Sequence, residues 1–327
     1  MEAQAVYAIG ECMIELQRSL AAPTLDYRFG GDTLNAAVYM ARLLDPNRFR
    51  VAYVTGLGVD AMSAEMLASW EKEGIDTRYV QRLPDRLPGI YMIELDADGE
   101  RRFHYWRKDS AARYWLDAPA AGEVLAQLGA ARMVYLSGIS LAILPEAGRE
   151  LLLPALARCR AGGGSVVFDN NYRPRLWDSA GAAADVYRRV LAHADIALLT
   201  LDDEQAIHGP ESARQVIERT RGYGVREVVV KCGAEPCVVW AEGELHEVAA
   251  EPVTDVVDTT AAGDSFGAAY VAARLSGADP VAAARAGHRL AGTVIRHRGA
   301  IIARELMPEP GFAAPGDAGH ARSRRSA

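Results

Sequence analysis

From the first strand-like run to about position 300, short apolar runs alternate with stretches of helical periodicity. Residues 6–9, 51–55, 133–137, 166–169, 196–200 and 228–231 are runs of roughly 4–6 mostly apolar or β-branched residues, the pattern of strands covered on both faces. Between them, 34–44, 61–73, 145–161, 183–192 and 212–223 are amphipathic and read as helices. Repeated β-α-β units predict an α/β fold with a mainly parallel central sheet flanked by helices in three layers. In such folds ligands bind beyond the carboxyl ends of the strands.

Two stretches depart from this rhythm. Residues 15–29 and 89–105 lack helical periodicity. In the second, residues 90–95 read as a strand, Asp96-Ala97-Asp98-Gly99 as a turn and residues 101–106 as the return strand. A small antiparallel sheet inserted in the body, formed by about 15–29 and 89–107, is the economical interpretation. The last twenty residues, 308–327, are rich in Pro, Gly, Ala and Arg without apolar periodicity and read as a disordered tail. Residues 1–307 then form the folded domain.

Composition narrows the classes. Half of the 327 residues are hydrophobic and 24% are charged, as in a soluble protein with a sizeable core. The formal net charge of −7 gives no general affinity for nucleic acid or an acidic membrane. An anionic small molecule remains compatible, because recognising it takes only local cations. No run of about 18 apolar residues is present, and the amino terminus lacks a basic segment followed by an apolar one. A cytoplasmic protein is expected. Cys12, Cys159, Cys232 and Cys237 form no C-x-x-C pair and read as free thiols.

The densest chemistry lies in Asp258-Thr259-Thr260-Ala261-Ala262-Gly263-Asp264-Ser265-Phe266, a polar turn opening into an apolar helix. Small residues ahead of a helix leave its first N–H groups bare, and with the helix dipole these attract an anion. Asp264 in the first turn would stand beside that anion as a base for an attacking hydroxyl. An ordinary acidic first turn would look the same locally. Phe29-Gly30-Gly31-Asp32-Thr33-Leu34-Asn35 places two glycines, an acid and an amide at another helix start. Asp32 and Asn35 can bond hydroxyl groups there, or simply cap a turn. Tyr91, Tyr105, Trp106 and Arg107 offer flat faces and a guanidinium, which suit a ligand with a carbon skeleton and a carboxylate, or the aromatics simply pack the small sheet with Arg107 in solvent. Arg173, in Asp169-Asn170-Asn171-Tyr172-Arg173, follows a strand and could stabilise phosphoryl or carboxylate charge. No G-x-G-x-x-G follows the first strand, where Gly10-Glu11-Cys12-Met13 stands instead, and this argues against a dinucleotide enzyme.

The 258–266 segment resembles the Asp-Thr-x-Gly-Ala-Gly-Asp signature of the ribokinase-like (PfkB) carbohydrate kinases, with Ala261 at the first glycine. Asp-Thr-Thr-Ala-Ala-Gly-Asp-Ser-Phe and Gly-Gly-Asp-Thr-Leu-Asn both resemble the 2-keto-3-deoxygluconate kinase branch. The resemblance runs from Gly10-Glu11 to about Met307. It implies a ribokinase-like fold whose small sheet is a lid over the sugar and often a dimer surface. It implies ATP and Mg2+, with a monovalent cation such as K+ as a further option, a small sugar acid as partner and a homo-oligomer. Carried over residue by residue, Asp264 is the base, Ala261, Ala262 and Gly263 supply the anion hole, and Arg173 assists. Gly30, Gly31, Asp32, Thr33, Leu34, Asn35, Tyr91, Tyr105, Arg107 and Arg173 meet the sugar acid. Asn171, Arg173, Lys231, Gly233, Ala261 and Gly263 meet the nucleotide, and Glu204 reaches the metal through water. Here Leu201 replaces the family's asparagine ahead of Glu204, and Pro236 replaces the last glycine after Lys231. A fructokinase or ribokinase type, and a non-catalytic sugar-acid sensor on the same fold, are the alternatives.

Overall fold

Side chains alternate across each strand of the central sheet, so the sheet has two apolar faces and each face has its own core. The computed structural model of the protein describes residues 3–18, 24–95 and 101–312. In chain order the strands are β1 (Gln4–Ile9), β2 (Met13–Arg18), β3 (Leu25–Gly30), β4 (Phe49–Val54), β5 (Gly56–Leu57), β6 (Gln81–Arg82), β7 (Ile90–Leu95), β8 (Arg101–Trp106), β9 (Met133–Ser137), β10 (Ser165–Asp169), β11 (Ile196–Thr200), β12 (Glu227–Cys232), β13 (Glu235–Ala241) and β14 (Glu244–Val248). The helices are α1 (Asp32–Leu43), α2 (Ala61–Lys72), α3 (Ala121–Gly129), α4 (Gly138–Ile143), α5 (Glu146–Ala161), α6 (Ala180–Leu191), α7 (Leu201–His208), α8 (Ala213–Gly222), α9 (Ala262–Leu275) and α10 (Pro280–Val294).

The eight-stranded sheet has the order β14-β13-β12-β11-β10-β9-β1-β4. Its pairs are parallel from β4 to β12, and β13 and β14 are added antiparallel at one edge. On one face Val6, Tyr53, Tyr135, Leu198 and Val229 pack with residues of α1, α2, α9 and α10. On the other Tyr7, Val54, Leu136, Phe168 and Val230 pack with α3, α5, α6 and α8. Neighbouring positions of one strand thus enter different cores, which is why these strands read as unbroken apolar runs. The six runs of the sequence all become central strands. The edge hairpin β13–β14 had no such signal, because β13 starts Glu235-Pro236 and β14 is half polar.

Helix α9 is apolar nearly all round, with Phe266 to Ala273 and Leu275 buried. Such a helix must be enclosed, and α9 lies between the sheet, α1 and α10. Its mouth is thereby fixed in a rigid frame at the carboxyl ends of the strands.

The small inserted sheet has four strands in the order β3-β2-β7-β8. It is two antiparallel hairpins joined by a parallel pairing of β2 with β7, so the expected antiparallel sheet is mixed at its centre. The turn expected at 96–99 lies outside the described residues, as does the tail from 313 onward with its arginines.

Candidate active site

The mouth of α9 is built by its preceding loop. Asp258 accepts the N–H and hydroxyl of Thr260 on one oxygen and the Gly299 N–H on the other. The chain then passes through Ala261 at φ 61°, ψ 17°, the left-handed region. An alanine there costs roughly 1 kcal/mol against glycine or a right-handed conformation. The Ser265 N–H reaches the Ala261 carbonyl at 2.9 Å, and no side chain caps the helix. Among the described residues the N–H groups of Gly263 and Asp264 have no acceptor. A methyl group on Gly263 would stand 3.4 Å from Lys231 Nζ, so a cation lies beside these bare amides.

Helix α1 opens toward the same place. A Cβ on Gly31 would stand 2.1 Å from the Glu11 carbonyl oxygen, so only glycine lets α1 begin this close to the loop after β1. Asn35 then donates from Nδ2 to Asp264 Oδ2 at 2.8 Å, and Asn171 donates to Asp32 Oδ2 at 2.7 Å. Asn171 lies at φ 27°, a conformation asparagine tolerates better than most residues. Lys231 Nζ lies 3.2 Å from both oxygens of the buried Asp169, which also accepts from Tyr135 at 3.1 Å.

Three carboxylates, from Asp32, Asp169 and Asp264, therefore lie close enough to feel one another's charge, and Lys231 is bonded to Asp169 among them. Burial, then the charge of Asp32 and next that of Asp169, push Asp264 up from 3.8 to about 7, against the Asn35 hydrogen bond and Lys231. Burial likewise raises Asp32, with the charge of Asp169 adding to it. A carboxyl group titrating near neutrality beside bare helix amides can exchange a proton with a hydroxyl under physiological conditions.

On the lid side, the Tyr91 hydroxyl donates to Glu15 and stands 3.3 Å from where a Cβ of Gly30 would be. The Tyr91 ring lies 5.9 Å from that of Tyr105, which is 46% exposed. Arg107, by contrast, is nearly enclosed and donates to the buried Glu11.

Several expected residues sit elsewhere. Thr33 is fully buried with its hydroxyl 3.0 Å from that of Tyr53, and Leu34 belongs to the core, so neither side chain lines a ligand cavity. Arg173 is half exposed, donates to the Tyr172 carbonyl and stands 3.9 Å from Asp203, a carboxylate that also feels the charges of Asp169 and Lys231. Glu204 has both oxygens engaged, by Asn170 at 2.9 Å and Arg219 at 2.6 Å, and so is a poor candidate for a metal ligand. Among the described residues no group of three His, Cys, Asp or Glu side chains could hold a metal ion. Gly233 forms the β12–β13 turn at φ 64°, and Pro236 falls at the ladder's irregularity opposite Lys231, where a missing N–H is tolerated. A cavity of about 730 Å³ opens at the opposite, amino-terminal end of the strands. Its charged groups largely satisfy one another, as in Arg226–Asp195 at 2.7 Å and Arg274–Glu227 at 2.9 Å. It holds none of the Asp264 group, which gathers at the carboxyl ends of the strands.

The family model for pfkB family carbohydrate kinases matches residues 3–306. The chain belongs to this family. It is an enzyme, a kinase, and its fold is that of its pfkB relatives. The 2-dehydro-3-deoxygluconokinase of Dickeya dadantii (strain 3937) is 54% identical over 311 residues, 94% of this chain and 100% of the relative. The crystal structure of a PfkB protein from Polaromonas sp. JS666 superposes with a TM-score of 0.79 at 29% identity, covering 93% of this chain and 99% of that one. A protein of Escherichia coli described as a ribokinase II, in complex with ATP and Mg2+, superposes at TM-score 0.75 and 22% identity, over 94% and 96% of the two chains.

In this pfkB kinase, sequence reasoning left out Glu11, Glu15 and Tyr135. Glu11 carried the clearest signal. It is an acid directly after a strand whose neighbours are all apolar, and such a group requires a buried cation. Which cation it meets is a tertiary fact. No helix among the described residues is long and apolar enough to cross a membrane.

Proposed function

We propose that the chain transfers the γ-phosphoryl group of ATP to the 6-hydroxyl of 2-dehydro-3-deoxy-D-gluconate, giving 2-dehydro-3-deoxy-6-phospho-D-gluconate and ADP. The observation that carries this reading is Asp264, raised to about 7, in the uncapped first turn of α9. The name of the 54% identical relative supports the substrate. Asp264 takes the proton of the 6-hydroxyl as its oxygen attacks the γ-phosphorus, and the bond to the ADP oxygen breaks. The N–H groups of Gly263 and Asp264, with Lys231, face the charge developing on the phosphoryl oxygens. The nucleotide's phosphates fit this cradle of bare donors and one cation.

The three-carboxylate cluster would repel a polyphosphate unaided. Magnesium bound with the nucleotide would supply the missing positive charge. With its oxygens held by Asn170 and Arg219, Glu204 would reach such an ion through water rather than directly. Asp32, Asn35 and the Gly30–Gly31 backbone hold the sugar hydroxyls. Tyr91 and Tyr105 lie along its carbon chain, and Arg107 meets its acid group. Residues 1–307 are the catalytic unit, the lid is its cover, and the protein works in the cytoplasm, where ATP is. The lid's exposed Trp106, which β8 turns to the face opposite Tyr105, favours pairing with the lid of a second copy.

The test is a panel of 2-dehydro-3-deoxy-D-gluconate, fructose and ribose with ATP and magnesium, following ADP release and locating the phosphate by 31P and 13C NMR. Preference for the sugar acid with phosphate on carbon 6 is expected. Preference for a neutral sugar would replace this substrate, and binding without ADP release would point to a sensor.

A further inference from the structure

Glu11 is a carboxylate with almost no access to solvent, at 1% exposure, in the loop that follows β1. One of its oxygens accepts from Arg107 Nη2, and the other has no partner. Gly89 leaves the room for this pair. A Cβ there would stand 2.6 Å from Glu11 Oε1 and 3.2 Å from the Arg107 Cβ. The Glu11 carbonyl lies against Gly31, at the mouth of α1. One residue thus touches the α1 mouth with its backbone and the end of the lid with its side chain.

A buried charge persists only when it is paired. Among the described residues Arg107 is the cation that pairs with Glu11. The constraint also acts the other way. Arginine is a long, freely rotating side chain, and here it is tethered through one nitrogen at 9% exposure, while its Nε has no acceptor. A guanidinium so held has donors left over for a second carboxylate, in the planar fork geometry such pairs adopt.

We propose that Glu11 is a positioning residue which presents Arg107 to the acid group of the sugar. The inference rests on the reading above that Arg107 meets that group. Glu11 need not touch the substrate itself. It removes the cost of ordering Arg107 at each binding event, the advantage of any preorganised contact. It also makes the fork selective, because a neutral sugar leaves those enclosed donors without an acceptor.

The test uses the full chain with Glu11→Gln, Arg107→Gln and the double variant, each first checked for folding by circular dichroism and melting. If Glu11→Gln does not fold, Glu11→Asp, which keeps the charge but withdraws it by one methylene, takes its place. We expect Glu11→Gln to raise KM for 2-dehydro-3-deoxy-D-gluconate about tenfold. Its kcat should stay within about twofold of the parent value, and KM for ATP should not move. Added to Arg107→Gln, it should change nothing further, since it acts only through that side chain. A parental KM in Glu11→Gln, or an effect that persists undiminished in the double variant, overturns the proposal. If Arg107→Gln itself leaves KM for the sugar acid unchanged, the assignment of Arg107 fails first and takes this inference with it.

Discussion

Helices α9 and α10 follow one another in the chain and pack side by side, but their first turns are finished in different ways. At α10, Asp279 accepts the Ala282 N–H at 2.8 Å, and Pro280 in the first position has no N–H to leave bare. The same economy closes α2 with Asp60, α6 with Ser179 and α8 with Ser212. At α9 the entering residue is Ala261, left-handed and without a capping side chain, and an acid stands in the first turn. A cap is available to any sequence through one substitution and stabilises by about 1 kcal/mol. Helices α1, α3, α5 and α7 also lack a capping side chain, but at α9 the omission coincides with a left-handed alanine and a cluster of like charges, and on the proposed reading this is the helix end that meets the phosphates.

The sharpest way to break this comparison is at Asp264. On the proposed reading, Asp264→Asn removes the base while keeping the Asn35 contact, so kcat should fall about 10³-fold with sugar binding largely kept. Titration calorimetry with the sugar acid checks the second half. In the unsubstituted enzyme kcat/KM should rise with pH through about 7, where Asp264 gives up its proton. Stability should move oppositely. A carboxyl raised from 3.8 to about 7 on folding favours the folded state fully below about pH 4, and this contribution is lost as pH climbs to about 7. The asparagine variant lacks that dependence. Its melting temperature should therefore gain on the parent between pH 4 and 7 and hold the gain above. A variant that tracked the parent at every pH would mean that the acid is not strained in its site.

A smaller effect is expected at the capped neighbour. Asp279→Ala should cost about 1 kcal/mol and roughly 2 °C in melting temperature, leaving kcat and both KM values alone. A kinetic change there would erase the distinction between the two helix ends. The smallest lies at Ala261→Gly. Relief of a left-handed alanine, roughly 1–2 kcal/mol, is partly offset by the entropy glycine loses on folding, about 0.5–1 kcal/mol. The melting temperature should rise by about 1 °C, and a fall of several degrees would contradict the strain assigned to that turn.

What could be read from the chain follows the range of the forces involved. Strands buried on both faces announce themselves locally, so all six central strands were legible, as were α1, α2, α5, α6, α8 and α9. The mouths of α1 and α9 were legible too, since small residues and an acid at a helix start have a local meaning. Pairings set by tertiary approach were not. The Arg107–Glu11 pair depends on loops brought together at Gly31 and Gly89, and Glu204 is claimed by Arg219 from the next helix. An arginine on a hairpin and a glutamate at a helix start look available in sequence, whichever partner the fold later gives them. Thr33 and Leu34 illustrate the converse. They sit within a ligand-facing motif, yet the helical period turns them toward Tyr53 and the core.

The union of β2 with β7 sets Ile14 next to Ile90 and Gln17 next to Ile93, so the small sheet is woven from two hairpins far apart in the chain. Neither hairpin is a module that can be exchanged alone. Grafting substrate preference from a relative would require replacing both ribbons together, with Glu11 and Gly89 at their roots, because a mismatch in one leaves the other without its neighbour.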